Sequence, residues 1–340
     1  VDVLDVDTLK SPEIPKGLAS VRKPGVIMSN FAYQQNLLRT LIGLSRLTGE
    51  DKYRQEAEKA TRHVFEHCTH EESGLIYWGV HTFVELAGHR IRHHENTSHE
   101  LKSVYPFYGF LYEVDPGKSG RFVKSMWLAH VEEWPLLTFN RHGKYQKYDL
   151  SKVWDHEWDN PGPDARSNGL AFFNAGSDLI YAGFHLGMNA GDEKASLWAA
   201  RLFERFVVGR DKTTHIMPSA SVRQAHRERG KAQFNFPNAY EPNLYIEYIP
   251  EGVIAHNDHA MLRLAERLDS AGHEEASRKM LLPLCEHLIG YAKYAYVPGK
   301  NVFKPIITDG TDLTGYELPK EGYFGPKGKV MEPITAGVEF

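Results

Sequence analysis

The chain has 340 residues, 41% hydrophobic and 25% charged, enough ordinary globular sequence for one repeat-built domain or two conventional ones. A formal net charge of −4 argues against a nucleic-acid partner, which calls for a basic excess, and no apolar run of about 18 residues exists to span a membrane. Cys68 and Cys285 fit no metal-ligand spacing. They suit either a disulfide or two buried thiols, so a periplasmic or secreted setting and a cytoplasmic one both stay open.

In chain order, one pattern repeats four times: an apolar-periodic segment, a short turn with glycine, then an amphipathic helix opening on charged residues and alanine. The turn glycines are Gly49, Gly117, Gly191 and Gly272, separated by 68, 74 and 81 residues. Glycine there supplies the left-handed backbone that ends a helix, and the acids that follow suit the next N-terminus. Before the first turn, Phe31, Leu37, Leu38, Leu41, Leu44 and Leu47 mark an apolar stripe; after it, Ala57, Ala60, Val64 and Phe65 mark another. Segments 172–188, 193–208, 255–268 and 274–295 have the same character. Longer stretches at 73–97, 138–168 and 210–252 read as loops. Stacked hairpins with long loops at one end predict a mainly α fold, an α/α toroid, in one domain over 1–340. Complete toroids close with about six or seven hairpins, and Ile334 to Phe340 reads as the start of another helix, so the toroid is expected to be open or truncated at the C-terminus.

Candidate ligands crowd the first long loop and its sequel: His81, His89, His93, His94, Glu95, His99 and Glu100, then Asn140-Arg141-His142-Gly143 and Asp155-His156-Glu157-Trp158-Asp159. Imidazole with carboxylate suits a borderline divalent cation, although solvated surface His and Glu are the commoner source of such runs, so by composition alone the cluster is a weak signal. Trp78, Trp154 and Trp158 suit either sugar stacking or core packing.

Tyr77-Trp78-Gly79-Val80-His81, Ser98-His99-Glu100-Leu101-Lys102 with Tyr105-Pro106-Phe107-Tyr108, Asn140-Arg141-His142-Gly143 and the stretch Phe173 to Ala182 resemble the pectate lyases of polysaccharide lyase family 2. The resemblance runs through roughly residues 30–210 and implies an α/α toroid. It also implies β-elimination of polygalacturonate or a related polyuronate, with an acidic polysaccharide or oligosaccharide as substrate. The implied metal ligands are His81, Glu100 and His142, with His94 and His99 as alternatives for His81. The implied ion is manganese, with Ni, Fe, Zn or Ca as other candidates. Arg141 is the implied base. Because a guanidinium is normally protonated, Arg141 binding the substrate carboxylate while Lys102 or a tyrosine takes the proton is the competing assignment. If Arg141 and His142 both face the cleft, Asn140 to Gly143 should be irregular, with Gly143 relieving a turn.

Arg92, Arg166 and Arg223 are candidates to pair with neighbouring uronate carboxylates, and Trp78 to stack on a sugar ring. Two other functions fit the same chain. One is an unsaturated glucuronyl hydrolase using two carboxyls among Asp155, Asp159 and Asp178; the other is a non-catalytic acidic-sugar-binding protein. Oligomeric state is not legible.

Overall fold

The computed structural model describes residues 28–79, 82–93, 98–101, 103–160, 173–218, 244–245, 253–321 and 325–335. Among these the protein is mainly α-helical, with eight α-helices and short strands. The described residues fall into two compact units. The first takes them from the stretches up to His130, His142–Asp155 and His185–Ser196; the second from Val131–Arg141, His156–Phe184 and Leu197 onward.

The helices come in sequence-adjacent pairs, and the glycine stops explain three of the four breaks. α1 (Gln35–Thr48) ends on Gly49 at φ 72°, whose N–H bonds to the Ser45 carbonyl, and α2 (Asp51–His67) begins two residues on. Gly191 and Gly272 likewise sit at φ 68° and 83°, between α5 (Phe173–Ala190) and α6 (Glu193–Val208), and between α7 (Val253–Ser270) and α8 (Glu274–Ala295). The second break differs. α3 (Tyr108–Val114) stops at extended Asp115, Pro116 opens α4 (Pro116–His130), and Gly117 lies inside its first turn. Proline at the first helical position forfeits no needed N–H and fixes φ, so no left-handed residue is required.

The apolar stripe of α1 is narrower than the sequence suggested. Phe31, Leu38 and Ile42 are buried, whereas Leu37 and Leu47 are 55% and 87% exposed, on the opposite face. In the first unit the core gathers Ala57, Val64, Phe65, Trp78, Tyr108, Phe122, Val123 and Trp127; in the second, Leu179, Trp198, Leu202, Phe206, Met261 and Leu284.

The expected loops hold short strands. β2 (Thr82–Glu85) and β3 (Arg90–His93), inside the predicted loop 73–97, form an antiparallel sheet with β1 (Met28–Ser29). β4 (His99–Glu100) pairs with β7 (His142–Gly143), and β5 (Val131–Glu133) with β6 (Thr138–Phe139). In the second unit β8 (Leu244–Tyr245) pairs with β11 (Ile306–Ile307), and β10 (Val302–Phe303) lies between β9 (Tyr296–Val297) and β12 (Ile334–Thr335). The C-terminal segment thus begins as a strand on β10 rather than as another helix. Its alternating Ile334-Thr335 has β-branched side chains that fit a pleated edge. No described helix is long and apolar enough to cross a membrane.

Candidate active site

Two residues 42 positions apart become direct neighbours through the two-residue ladder β4–β7. The antiparallel register sets Glu100 opposite His142 and His99 opposite Gly143. Directly opposed residues share a face of the ladder, so the Glu100 and His142 side chains meet, with His142 Nε2 3.5 Å from Glu100 Oε1. The carboxylate is fully buried, while the imidazole side chain is 31% exposed. The pair therefore presents a buried carboxyl floor and an open imidazole edge.

The other face of β4 is core. Strand alternation sends His99 away from Glu100, into a fully buried position where its Nδ1 lies 2.8 Å from His130 Nε2. Burial, then the neighbouring His130, holds the His99 pKa well below the usual imidazole value. His99 is thereby a buried ring on the face of β4 opposite Glu100. Gly143, opposite it, leaves room for His130: a Cβ there would lie 2.6 Å from His130 Nε2 and 2.9 Å from the Ala129 Cβ. The glycine is needed for close approach, not for a turn. Arg141 is a bend residue, but His142–Gly143 is strand, not the irregular loop expected. The ladder supplies the orientation that irregular backbone was expected to provide.

The residues beside Glu100 are fixed from three directions. Trp78 is 2% exposed; its indole N–H donates to the Glu100 carbonyl at 3.1 Å, and its ring packs on His99 and Phe122. It buttresses β4, which corrects its assignment as a sugar-stacking ring. Gly79, at φ 123°, leaves space that a Cβ would fill 2.7 Å from the Glu100 Cβ. Buried Asn30 donates from Nδ2 to the carbonyls of Gly79 (2.6 Å) and Thr82 (3.3 Å), bracketing the stretch that contains His81. Tyr145 adds a hydroxyl that accepts from the Trp78 N–H at 3.4 Å, and burial pushes its pKa far above the phenol range.

Beyond Glu100 the chain is strained. Ser103 and Tyr105 hold left-handed backbone at φ 55° and 43°, a cost of about 1–2 kcal/mol each. Tethers to α1 offset it: the Phe107 N–H donates to Gln35 Oε1, and Arg39 donates to the Tyr105 carbonyl.

Of the other candidates, Arg92 on β3 is held by Glu85, with Nε 2.9 Å from Oε2 and Nη2 on the same oxygen. That ion pair across the β2–β3 hairpin removes it from the open cations considered for substrate. Trp154 is 8% exposed and donates to Asp192, so it is core. Trp158 lies in the second unit under the Arg201 guanidinium. Asp155 is exposed and paired with Lys194, and Asp178 is buried in α5. His81, His94, Lys102, Arg166 and Arg223 lie outside the described residues.

Asn30 and Tyr145 were not anticipated, and Gly79 and Gly143 stood in the quoted motifs without their close-packing roles. Of the first two, Asn30 left a sequence signal, as an N-cap-type residue; its side chain does accept from the Ala32 N–H.

The sequence profile of a family described as periplasmic pectate lyase matches residues 18–340. A pectate disaccharide-lyase of Dickeya dadantii (strain 3937) is 33% identical over 326 residues, 90% of this chain and 60% of the relative. The chain thus spans about 60% of the curated relative's length.

Proposed function

Since the chain belongs to the periplasmic pectate lyase family, we propose that it cleaves pectate or a related polyuronate by metal-assisted β-elimination, on an α/α toroid and in the periplasmic setting its family description names. The observation that carries the proposal is the Glu100–His142 contact at 3.5 Å. Cis ligands on an ion with bonds near 2.1 Å are about 3.0–3.4 Å apart, so this carboxylate and imidazole already have the spacing of a chelating pair. His81, in the stretch bracketed by Asn30, is the proposed third ligand. The mixed O,N,N donor set suits manganese, with Ni, Fe, Zn or Ca as alternatives.

Bound there, a divalent cation supplies Lewis acidity toward the uronate carboxylate, making the C5 proton removable. The chain's residues do the rest. Buried Glu100 fixes charge and direction, and His142 fixes the exposed edge. Arg141, adjacent in sequence to His142, receives the C5 proton; its alternative role is to grip the carboxylate while Lys102 takes the proton. The C5–H electron pair becomes the C4–C5 double bond, the C4–O bond breaks, and the departing oxygen takes a proton from water. Arginine serves as a base only where its charged form is destabilised, which places the optimum at alkaline pH.

The test is near-UV absorbance of polygalacturonate digests, because elimination creates a double bond conjugated to the carboxylate. Absorbance should rise, stop with chelator and recover with Mn2+. Unsaturated disaccharide is the expected product by mass spectrometry, as the relative's name indicates for that protein. Loss of absorbance from pre-made unsaturated oligouronates would instead establish the hydrolase reading, and sugar binding without turnover the non-catalytic one.

A further inference from the structure

Three histidines outside the proposed active site converge on the surface of the first unit. His63 and His67 are four residues apart on α2, one turn up the same face. His89 sits at the tip of the β2–β3 hairpin, where Gly88 and His89 both hold left-handed backbone, at φ 82° and 51°. The ring centroids of His63 and His67 are 4.8 Å apart, those of His63 and His89 5.0 Å, and those of His67 and His89 4.3 Å in a parallel stack. One ring nitrogen from each lies within 4.8 Å of the other two.

We propose that His63, His67 and His89 form a second divalent-metal site, selective for Zn2+-class ions, that clamps the hairpin tip to α2. Two observations support it. A His-x3-His pair on a helix presents two imidazoles to one ion, and the third arrives from a different element, so the convergence is tertiary. Nitrogens around a tetrahedral ion with bonds near 2.05 Å are about 3.4 Å apart, a contraction that small imidazole rotations supply at half-buried or exposed side chains.

The donor set distinguishes this site from the first. Three neutral imidazoles with the remaining position left to water favour Zn2+, Co2+, Ni2+ or Cu2+, whereas a carboxylate-containing set also accepts Mn2+. Glu66 adds a nearby negative charge, its Oε2 3.9 Å from His67 Nε2. The hairpin tip is separated from Thr82 by about 10 Å of strand, so the two sites use different parts of one hairpin. The clamp would stiffen the hairpin whose first strand leads out of the stretch held by Asn30.

The experiment uses the full chain carrying Glu100→Gln and His142→Ala, which removes two of the three ligands proposed for the active site. Titration with Co2+ alone should give one saturable site with visible d–d absorption, displaced by Zn2+ and not by Mn2+. Adding His67→Ala, an exposed position, should abolish it. So should His89→Asn, which keeps a residue that tolerates left-handed backbone. In the same Glu100→Gln, His142→Ala background Zn2+ should raise the melting temperature, and His67→Ala should remove that increment while leaving the metal-free melting temperature unchanged. No saturable Co2+ binding, or binding that survives both substitutions, overturns the proposal. Neither outcome bears on the Glu100–His142 site, which the background variant lacks.

Discussion

Glu100 and His142 touch because β4 and β7 are in register, not because of anything local to either residue: Glu100 faces His142 across the ladder, with Oε1 and Nε2 3.5 Å apart. The same register puts His99 opposite Gly143, and its alternation separates a prospective ligand face from a core face.

Glu100→Gln keeps the volume and removes the charge. Mn2+ affinity by calorimetry should fall by more than the roughly 10–100-fold that loss of an outer-shell partner costs, and elimination should fall with it. His142→Ala should behave alike. Unchanged Mn2+ affinity in both variants would remove these two residues from the metal site.

Arg141→Ala separates base from ligand. Turnover should drop by about 10²–10⁴, the usual worth of a general base, while bound Mn2+ measured by atomic emission stays at the wild-type level. Arg141→Lys should restore part of the rate with a pH optimum shifted downward, because a lysine ammonium ionises at lower pH than a guanidinium. Near-wild-type elimination in the alanine variant would move the proton to another group, and Lys102 is the first to test.

Gly143→Ala tests close packing behind the site. A methyl group 2.6 Å from His130 Nε2 and 2.9 Å from the Ala129 Cβ has to push β7 away from α4. Urea unfolding should show a loss of about 1–3 kcal/mol, the usual cost of overpacking. Mn2+ affinity should weaken as well, since His142 rides on the displaced strand. Wild-type stability together with wild-type affinity would mean that α4 yields freely.

Cys68 offers a pH test. It is buried, and burial pushes its thiol up to about 11. A raised folded pKa means the folded state keeps its proton after the unfolded chain has lost it. The associated stability is present below about pH 9 and is lost as pH rises through about 11. Denaturant unfolding should show about 1–3 kcal/mol of alkaline loss across that window, and Cys68→Ala should lack this component. Equal alkaline slopes in the two proteins would place the loss elsewhere.

By itself, the sequence determined the helical framework. Periodicity bounded α5, α6, α7 and α8 to within a few residues, and Gly49, Gly191 and Gly272 marked helix ends because a left-handed residue leaves a local chemical trace. It also singled out Glu100, Arg141 and His142 as candidates. Tertiary structure decided which face each residue would occupy. Leu37 and Leu47 look as apolar as Leu38, yet only Leu38 meets the core. Trp78 packs behind β4, and Arg92 is held by Glu85. His99 and Glu100 are adjacent and both suited to ligation, but a two-residue strand sends one to His130 and the other to His142. Gly143 is needed only because α4 passes behind β7. Helix stops are written in a residue's own backbone preference, whereas strand register and close approach depend on partners tens of positions away, which no local pattern encodes.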